Sequence, residues 1–424
     1  MGQPVPVGSP RPELRGGVLR SRRAPVSVHL EAGVDPARGL EVLSLAEGAL
    51  DRVQYDLRWP LPWPDDFRGG DAGLDVYVRA SGPAWDAPVD TLQPGTPWDV
   101  ASAFVTVRAD LAPALLPRAV IEAVARAALR GMNAAQPETV VQALGATVAT
   151  TAHGLSPPLD AWRAFQAEPW RALFGASTEL QARGASLYLD RLLARHGDRS
   201  WTLLRFLVEG PVQHTPRRWP RLWDEPDLMD VARRASRGTD GGMDEALLEF
   251  AIARALLGTP GDPDDLVGAL DRSLGSPPER AVTYGELPVY VTPREWLETT
   301  GSAAVRVDLS RAPVGAGMSL WVHANPYHRW LVSVVRVNPD GRVAGRWNSD
   351  VVNDGRWALR LELLDGFASA WVVLLDLGAA DYDPDVPATR DGWWALHLAP
   401  AAAPSGSRGV DLRGLPLLAA GPER

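Results

Sequence analysis

Apolar residues recur at helical spacing over residues 112–258, with proline or glycine between the periodic runs. Before this region, residues 37–57 carry another helical pattern, and the stretches LDVYVRA (74–80) and SAFVTVRAD (102–110) alternate in the manner of short strands. The pattern therefore predicts an α/β segment followed by consecutive helices, which we place at 116–134, 138–153, 159–174, 178–196, 200–209, 226–236 and 242–257.

The periodicity changes to two residues over 282–400. β-Branched and aromatic residues dominate four runs there, RWLVSVVRV, RWALRLELL, AWVVLLDL and DGWWALHL. The sequence NPDG at 338–341 is typical of a hairpin turn. Short strands joined by such turns predict an antiparallel β-sandwich, and together with the helical region they predict an α+β fold.

Composition divides the chain into five segments. A first stretch rich in Pro, Gly and Arg predicts a disordered arm, a second Pro- and Gly-rich stretch predicts a linker, and the Ala-, Pro- and Gly-rich end predicts a tail. We place the arm at 1–25, the α/β and helical module at 26–258, the linker at 259–281, the sandwich at 282–400 and the tail at 401–424.

The charge and the residue types limit the function. The 424 residues include 43 basic and 52 acidic ones, and the net charge of −9 disfavours a nucleic-acid partner. The chain has no cysteine, which excludes thiolate zinc sites, and all its basic residues are arginine, which excludes P-loop and Schiff-base lysine chemistry. No apolar run reaches the ~18 residues of a membrane span. Since no secretion signal opens the sequence, we expect a cytoplasmic protein, or a secreted one if the true start lies upstream.

The run at 116–134 contains a charged stripe. At 100° per residue, Glu122, Arg126 and Arg130 share one side of the helix and apolar residues occupy the other. Glutamate followed by arginine at i, i+4 is a favourable pair on an exposed helix. One interpretation is therefore an amphipathic helix with a solvated charged face. A second interpretation comes from the neighbouring stretches.

Four stretches carry a family resemblance: LDVYVRA, SAFVTVRAD, AVARAALRGMNAAQ (123–136) and ELQARGASLYLDRLLARHG (179–197). In this order they resemble the catalytic core of gluzincin-type zinc metallopeptidases, above all a bacterial group with a C-terminal β-domain. The first two are similar to a core strand and to the edge strand that holds substrate by strand addition. The third stands where that group has a helix reading A-H-E-x-x-H-x-x-Q, and the fourth resembles a later helix. The resemblance covers residues 70–210 and implies a metallopeptidase-like module with a largely helical core.

The resemblance also implies where a zinc site would lie. It places the first zinc histidine at Arg126, the general-base glutamate at Ala127, the second histidine at Arg130 and the third ligand near Gln142. Arginine has no lone pair to donate and alanine cannot activate water, so this set implies a degenerate peptidase without metal or cofactor. We therefore predict a non-catalytic pseudopeptidase that binds a protein or peptide, in which Arg126 and Arg130 bind a carboxylate.

Two alternative functions stay open, and the sequence indicates no particular oligomeric state. The first is an active zinc peptidase whose ligands lie elsewhere, which requires three converging His or carboxylate side chains; His323 and His328 flank a turn and are candidates. The second is a carbohydrate- or surface-binding protein that uses exposed, coplanar rings on the sandwich. Its candidates, which otherwise fill the core, are Trp321, Trp330, Trp347, Trp357, Trp371, Trp393 and Trp394.

Overall fold

The computed structural model describes residues 9–93, 100–196, 200–209, 227–236, 242–261, 274–275, 277–384 and 387–401. Helices and strands are both abundant in this part of the chain, and the predicted α+β class is confirmed. Residues 1–8 of the predicted arm, 402–424 of the tail and 262–273 of the linker lie outside the described residues. Among the described residues, no helix is long and apolar enough to cross a lipid bilayer.

Short strands form the sheet of the N-terminal module: β1 (Val18–Arg20), β2 (Val26–Leu30), β3 (Leu74–Arg79), β4 (Trp85–Asp86), β5 (Val89–Leu92), β6 (Ala101–Ala103) and β7 (Val105–Arg108). Five of them make a mixed sheet in the order β1-β2-β3-β7-β4. The central strands β2, β3 and β7 run parallel, while β1 and β4 pair antiparallel at the two edges. β5 and β6 form a separate antiparallel pair.

The stretch SAFVTVRAD does not form the predicted edge strand. Its first part is β6, which pairs with β5, and its second part is β7, which lies between β3 and β4. The edge position belongs to β4, which comes from the Trp- and Pro-rich segment before this stretch. A strand of two residues is too short to produce a recognisable alternation, so the sequence could not reveal it.

The prediction of a disordered arm is wrong for residues 9–25. This segment contains β1, and Ser9 donates its backbone N–H to the carbonyl of Val89 (3.1 Å). The side chain of Arg11 enters the module and is 13% exposed. A stretch poor in large apolar residues is therefore held in place by hydrogen bonds and charge pairs.

The helices are α1 (Pro36–Asp51), α2 (Leu116–Met132), α3 (Glu138–Thr151), α4 (Leu159–Gln166), α5 (Glu179–Gly184), α6 (Ser186–His196), α7 (Ser200–Glu209), α8 (Leu228–Ser236) and α9 (Gly242–Leu256). Most of them lie near the predicted positions, but α4 ends eight residues before the end of the helix predicted at 159–174, since Pro169 has no backbone N–H to continue it. Asp35 caps α1 through its side chain. The run predicted at 178–196 is divided between α5 and α6. α5 also packs closely on α4, since a Cβ at Gly184 would lie 2.1 Å from the carbonyl oxygen of Ala161.

The interpretation of α2 as a helix with a solvated charged face is wrong. α2 packs against α1 and the sheet on one side and against α3 on the other. Val124 belongs to the core under the sheet, and Leu129 belongs to the core of the helical region. Glu122, Arg126 and Arg130 are only 1%, 3% and 3% exposed. These charged side chains therefore need partners within the protein.

Strands dominate the C-terminal region: β8 (Arg280–Thr283), β9 (Val289–Val291), β10 (Leu297–Glu298), β11 (Ser302–Asp308), β12 (Gly317–Ala324), β13 (Arg329–Val337), β14 (Val343–Asn348), β15 (Arg356–Leu361), β16 (Ser369–Gly378), β17 (Arg390–Gly392) and β18 (Trp394–Ala401). Two sheets, β14-β13-β16-β11-β8 and β15-β12-β18-β9, pack over a common core, which confirms the predicted sandwich. Their pairings are antiparallel apart from β8 with β11. The predicted turn at 338–341 joins β13 to β14, with Gly341 at φ +86°.

The sandwich and the helical region share a core. In β13, Val332 and Val334 face the second sheet, whereas Leu331 and Val335 pack with the residues of the helical region. Backbone amides after α4 also donate to side chains of the sandwich, namely Ala172 to Glu298 (2.9 Å), Leu173 to Thr300 (2.7 Å) and Phe174 to Tyr382 (3.1 Å). The two predicted modules are thus joined by packing and hydrogen bonds.

Candidate functional site

Three of the four residues at the predicted degenerate zinc site meet at one carboxylate. Arg126 Nη2 donates to Oε1 of Glu138 (2.7 Å), and Arg130 Nη2 donates to Oε2 of the same side chain. Gln142 Nε2 also donates to Glu138 Oε1 (3.1 Å). Ala127, the fourth residue, is fully buried in the core under the sheet. Arg126, Arg130, Glu138 and Gln142 form what we name the arginine–glutamate cluster.

The turn between α2 and α3 places Glu138 opposite the arginines. α3 begins at Glu138, directly after Pro137, and a carboxylate in the first turn is favoured by the helix dipole. Arg130 Nη1 donates to the carbonyls of Ala134 (3.3 Å) and Gln136 (3.1 Å), and so holds the turn against α2. The arginine therefore fixes the backbone that carries its own partner.

The edge strand β4 contributes a second carboxylate. Asp86 Oδ1 accepts from Arg126 Nη2 (2.8 Å) and from the backbone N–H of Ala87 (2.8 Å). The guanidinium of Arg126 therefore bridges Glu138 and Asp86 and joins α3 to β4. Both arginine side chains are 4% exposed, while those of Glu138 and Asp86 are 48% and 39% exposed. The cluster thus opens to solvent through its carboxylates.

The cluster pairs two guanidinium groups with two carboxylates. Burial opposes the ionisation of Glu138, but the charges of Arg130 and Arg126 hold its pKa below the ordinary value. Burial lowers the pKa of Arg130, and Glu138 opposes that change. Arg126 and Arg130 were predicted to bind a carboxylate from a ligand, and in the structure the carboxylate belongs to the chain itself.

The chemistry of the cluster is that of charge pairing. Among the described residues, no partner is found for the Nε atoms of Arg126 and Arg130, for Oε1 of Gln142 or for the side-chain amide of Gln136. Guanidinium groups stay protonated and offer no lone pair to a metal ion. As these side chains stand, they bind an anion and cannot supply the ligands that zinc requires.

A second set of ion pairs connects α5 to α2. Glu122 accepts from Arg118 Nη1 (2.9 Å) and from Nε and Nη2 of Arg183 (2.8 and 3.0 Å). The guanidinium carbon of Arg183 lies 4.5 Å from the centre of the Trp85 ring on β4, a distance typical of a cation–π contact. Side chains from α2 and α5 therefore both hold the edge strand in place.

Sequence analysis did not identify Glu138, Asp86 or Arg183 as parts of this site. Glu138 had one signal, an acidic residue in the first turn of a helix that follows closely after Arg130. Asp86 and Arg183 had none, because they meet α2 only through the tertiary fold.

The two candidate histidines of the turn do not share a site. His323 lies on the outer face of β12, where its neighbours in register are Arg356 and Ala395. His328 is buried, with Nδ1 2.9 Å from Asp376 and Nε2 3.4 Å from Asp391, and its hydrogen bond to Asp376 raises its pKa. Within the described ranges, no group of three or more His, Asp or Glu side chains has the geometry of a metal site.

The outer face of the four-stranded sheet carries a row of three rings. Tyr290, His397 and Trp321 are register partners on β9, β18 and β12. The ring centres of Tyr290 and His397 are 4.2 Å apart at 11°, and those of His397 and Trp321 are 5.0 Å apart at 21°. The rings are therefore stacked face to face and do not form the predicted coplanar platform. Ala358 on β15 is the register partner of Trp321 on its other side.

The other candidate tryptophans mostly fill the core. Trp330 and Trp394 are 0% and 2% exposed, whereas Trp393 is 39% exposed. Three more are partly buried against the cores, namely Trp347, Trp357 and Trp371.

Glu138→Gln removes the carboxylate that the two buried guanidinium groups share. At pH 7 we expect it to lower the free energy of unfolding by about 1–3 kcal/mol, because both cations lose a charged partner. Since the folded-state pKa of Glu138 is lowered, its contribution is present above the ordinary pKa and is lost as the pH falls through the lowered value. The difference between variant and parent should therefore shrink in acid.

Denaturant unfolding at pH 7 and at pH 3 measures this difference. Glu41→Gln is a matched control, because Glu41 is 47% exposed in a pair with Arg38 and its loss should change stability by less than ~0.5 kcal/mol. A Glu138→Gln variant as stable as the control at pH 7 would contradict the role of the cluster.

Comparisons with known proteins assign neither a family nor a function to the chain. No protein-family model and no curated protein matches the chain. A Yersinia pseudotuberculosis-derived mitogen is similar with 12% identity and TM-score 0.19, over 31% of this chain and 100% of that chain. The enzymatically active domain of a bacteriophage CBA120 tailspike protein has 14% identity and TM-score 0.19, over 27% and 18%. A structure of carbohydrate-binding modules from the β-sandwich superfamily has 13% identity and TM-score 0.17, over 27% and 46%. Similarity this low supports no conclusion about function.

Proposed function

We propose that this chain is a non-catalytic, metallopeptidase-like scaffold that binds an extended polypeptide segment along β4. The observation that supports the proposal is the position of β4. It is one of the two edge strands of the N-terminal sheet, it pairs with β7 on one side, and Asp86 ties it to Arg126 on α2. An extended peptide binds to such an edge through main-chain hydrogen bonds.

The backbone of β4 presents polar groups on its outer side. The carbonyl of Ala84 accepts from Arg108 N–H (2.9 Å), and the carbonyl of Pro88 accepts from Phe104 N–H (3.4 Å). Because the direction of backbone groups alternates along an antiparallel strand, the N–H and C=O of Trp85 point away from β7. An added strand would pair with these groups.

The arginine–glutamate cluster makes the proposed scaffold non-catalytic. The family resemblance places zinc ligands at Arg126 and Arg130, where the chain has two cations that repel a divalent metal ion. Ala127 replaces the residue that would activate water. Glu138 already binds both arginines, so in the proposal Arg126 positions β4 through Asp86, Arg130 holds the turn that carries Glu138, and the main chain of β4 contacts the peptide.

Two substitutions of Trp85 test the binding edge. Trp85→Pro removes the outward N–H and the indole, whereas Trp85→Ala removes the indole alone, and with it the contact to Arg183. With a fluorescently labelled, reduced and carboxymethylated protein as the unfolded probe, we expect binding by the parent and by Trp85→Ala. We expect Trp85→Pro to bind roughly tenfold more weakly, which corresponds to ~1.4 kcal/mol. Fluorescence anisotropy measures the affinities; a parent that does not bind, or equal binding by both variants, would refute the proposal.

Restoring the missing ligands tests whether α2 and α3 have peptidase-like geometry. The double variant Arg126→His, Arg130→His places two imidazoles on the side of α2 that faces Glu138 and so supplies two nitrogens and a carboxylate, a common zinc set. Ala127 is left unchanged, because a glutamate there would be buried in the apolar core under the sheet. After equilibration with micromolar zinc and desalting, we expect about one zinc ion per chain by elemental mass spectrometry. Adding Glu138→Gln should remove most of it. A folded double variant without zinc would contradict the scaffold proposal, and near-stoichiometric zinc in the parent would overturn its non-catalytic character.

The stacked rings support a second candidate function, the binding of an acidic sugar polymer. On the side away from His397, the register partner of Trp321 is Ala358, whose side chain is too small to cover the indole as a larger residue would. Arg356 and Arg360 are exposed on the same face of β15, two residues before and after Ala358. A sugar ring stacks on an indole through its C–H groups, and guanidinium groups bind carboxylates.

Trp321→Ala removes the proposed stacking surface and leaves both arginines. We expect it to weaken the binding of polygalacturonate roughly tenfold by isothermal titration calorimetry, a loss of ~1.4 kcal/mol. Tyr290→Ala shortens the same stack at its other end and should bind like the parent. A parent that does not bind polygalacturonate, or a Trp321→Ala variant that binds it equally well, would exclude this candidate.

A further inference from the structure

Three buried aspartates converge on one cation in the N-terminal module. Asp65, Asp75 on β3 and Asp90 on β5 are 3%, 0% and 3% exposed. Arg11 Nη2 lies 2.6 Å from Asp65 Oδ2 and 2.9 Å from Asp90 Oδ2, and Arg11 Nη1 is paired with Asp75. These three carboxylates enclose a site that we name the aspartate pocket.

Aromatic side chains complete the walls of the aspartate pocket. The guanidinium carbon of Arg11 lies 5.5 Å from the centre of the Phe104 ring, and Nη1 donates to the Tyr77 hydroxyl (3.4 Å). Tyr77 stacks on His29 (4.7 Å, 18°), whose Nε2 lies 2.7 Å from Asp75 Oδ1. The carboxylates surround the edge of the planar guanidinium group, and an aromatic ring covers its face. This arrangement suits a guanidinium group better than an ammonium group or a metal ion.

The aspartate pocket has more negative charge than its other neighbours neutralise. Apart from Arg11, the basic side chains that contact these carboxylates within the described residues are the imidazole of His29 and the guanidinium of Arg68, which donates to Asp90 (3.0 Å) and is 49% exposed. Oδ1 of Asp65 has no hydrogen-bond partner among the described residues. Burial and the neighbouring carboxylate raise the pKa of Asp65. The three carboxylates therefore need a cation between them.

The arm that delivers Arg11 has few other attachments. Within residues 9–15, the structure shows one backbone hydrogen bond to the rest of the chain, from Ser9 to Val89 (3.1 Å). The residues of this segment are exposed or half-buried, and Gly16 and Gly17 separate them from β1. The guanidinium group is thus the principal contact that holds the segment.

We propose that the aspartate pocket is a binding site for an arginine side chain, that Arg11 occupies it in the free chain, and that an arginine of a partner polypeptide replaces Arg11 when the arm withdraws. The arm is then an internal competitor, which lowers the apparent affinity for the partner by the fraction of chains in which the pocket is occupied. This site does not depend on the function proposed for β4.

Arg11→Ala vacates the pocket and leaves the rest of the arm. The probe is a fluorescent peptide with the sequence of residues 9–15, SPRPELR. We expect it to bind the variant at least roughly tenfold more tightly than the parent, in which Arg11 competes. The same peptide with citrulline at the positions of Arg11 and Arg15 keeps the shape, lacks both guanidinium charges and should not bind. Arg68→Ala, which removes the exposed arginine of the site, should leave the pocket closed to the peptide.

Small cations test whether the aspartate pocket is specific for guanidinium groups or binds cations in general. In the Arg11→Ala variant we expect millimolar ethylguanidinium to raise the Tm, with smaller effects from ethylammonium or Ca²⁺ and none in the parent. Equal effects of the three cations, binding of the citrulline peptide, or equal binding of SPRPELR by variant and parent would each overturn the proposal. Should Arg11→Ala not fold, Arg11→Lys keeps the charge but lacks the planar guanidinium group. The peptide should then again bind the variant more tightly than it binds the parent.

Discussion

The structure depends on how α2 buries two guanidinium groups. The side chains of Arg126 and Arg130 are each 4% exposed, and an unpaired charge in such a position costs several kcal/mol. A carboxylate must therefore lie at the start of α3, where Glu138 meets both arginines, and Asp86 must bring β4 to Arg126. One electrostatic requirement thus sets where a helix begins and where an edge strand lies. For the same reason, the two guanidinium groups pair with carboxylates, and they have no lone pair to offer a metal ion.

The five-stranded sheet of the sandwich imposes a second constraint. Its strand β13 has Val332 and Val334 against the other sheet and Leu331 and Val335 against the helical region. A strand buried on both faces appears as a nearly continuous apolar run, as in RWLVSVVRV. Such a sheet cannot lose either layer without exposing apolar surface. The helical region and the sandwich are therefore mutually stabilising, although composition places a linker between them.

Sequence periodicity predicts where the helices and strands of this chain lie better than it predicts which side chains are buried and what they contact. α2 and β13 are predicted almost to their observed ends, because the spacing of apolar residues is a local property. The prediction that Glu122, Arg126 and Arg130 are exposed to solvent is wrong. The i, i+4 spacing that pairs charges on an exposed helix also places charges on a face that packs against other parts of the protein, so the spacing alone does not distinguish the two cases. Glu138 and Asp86 come from other segments, and no local pattern links them to α2.

Arg11 shows the same limit, because its three partners are distant in sequence. The two buried arginine sites differ in which partner is fixed. In the arginine–glutamate cluster, a helix fixes the cations, and Glu138 is anchored in the first turn of α3. In the aspartate pocket, Asp75 and Asp90 lie on strands, and the cation comes from a segment with one other backbone attachment. A competing ligand displaces the partner that is held least. Exchange therefore disturbs less structure at the aspartate pocket than at α2.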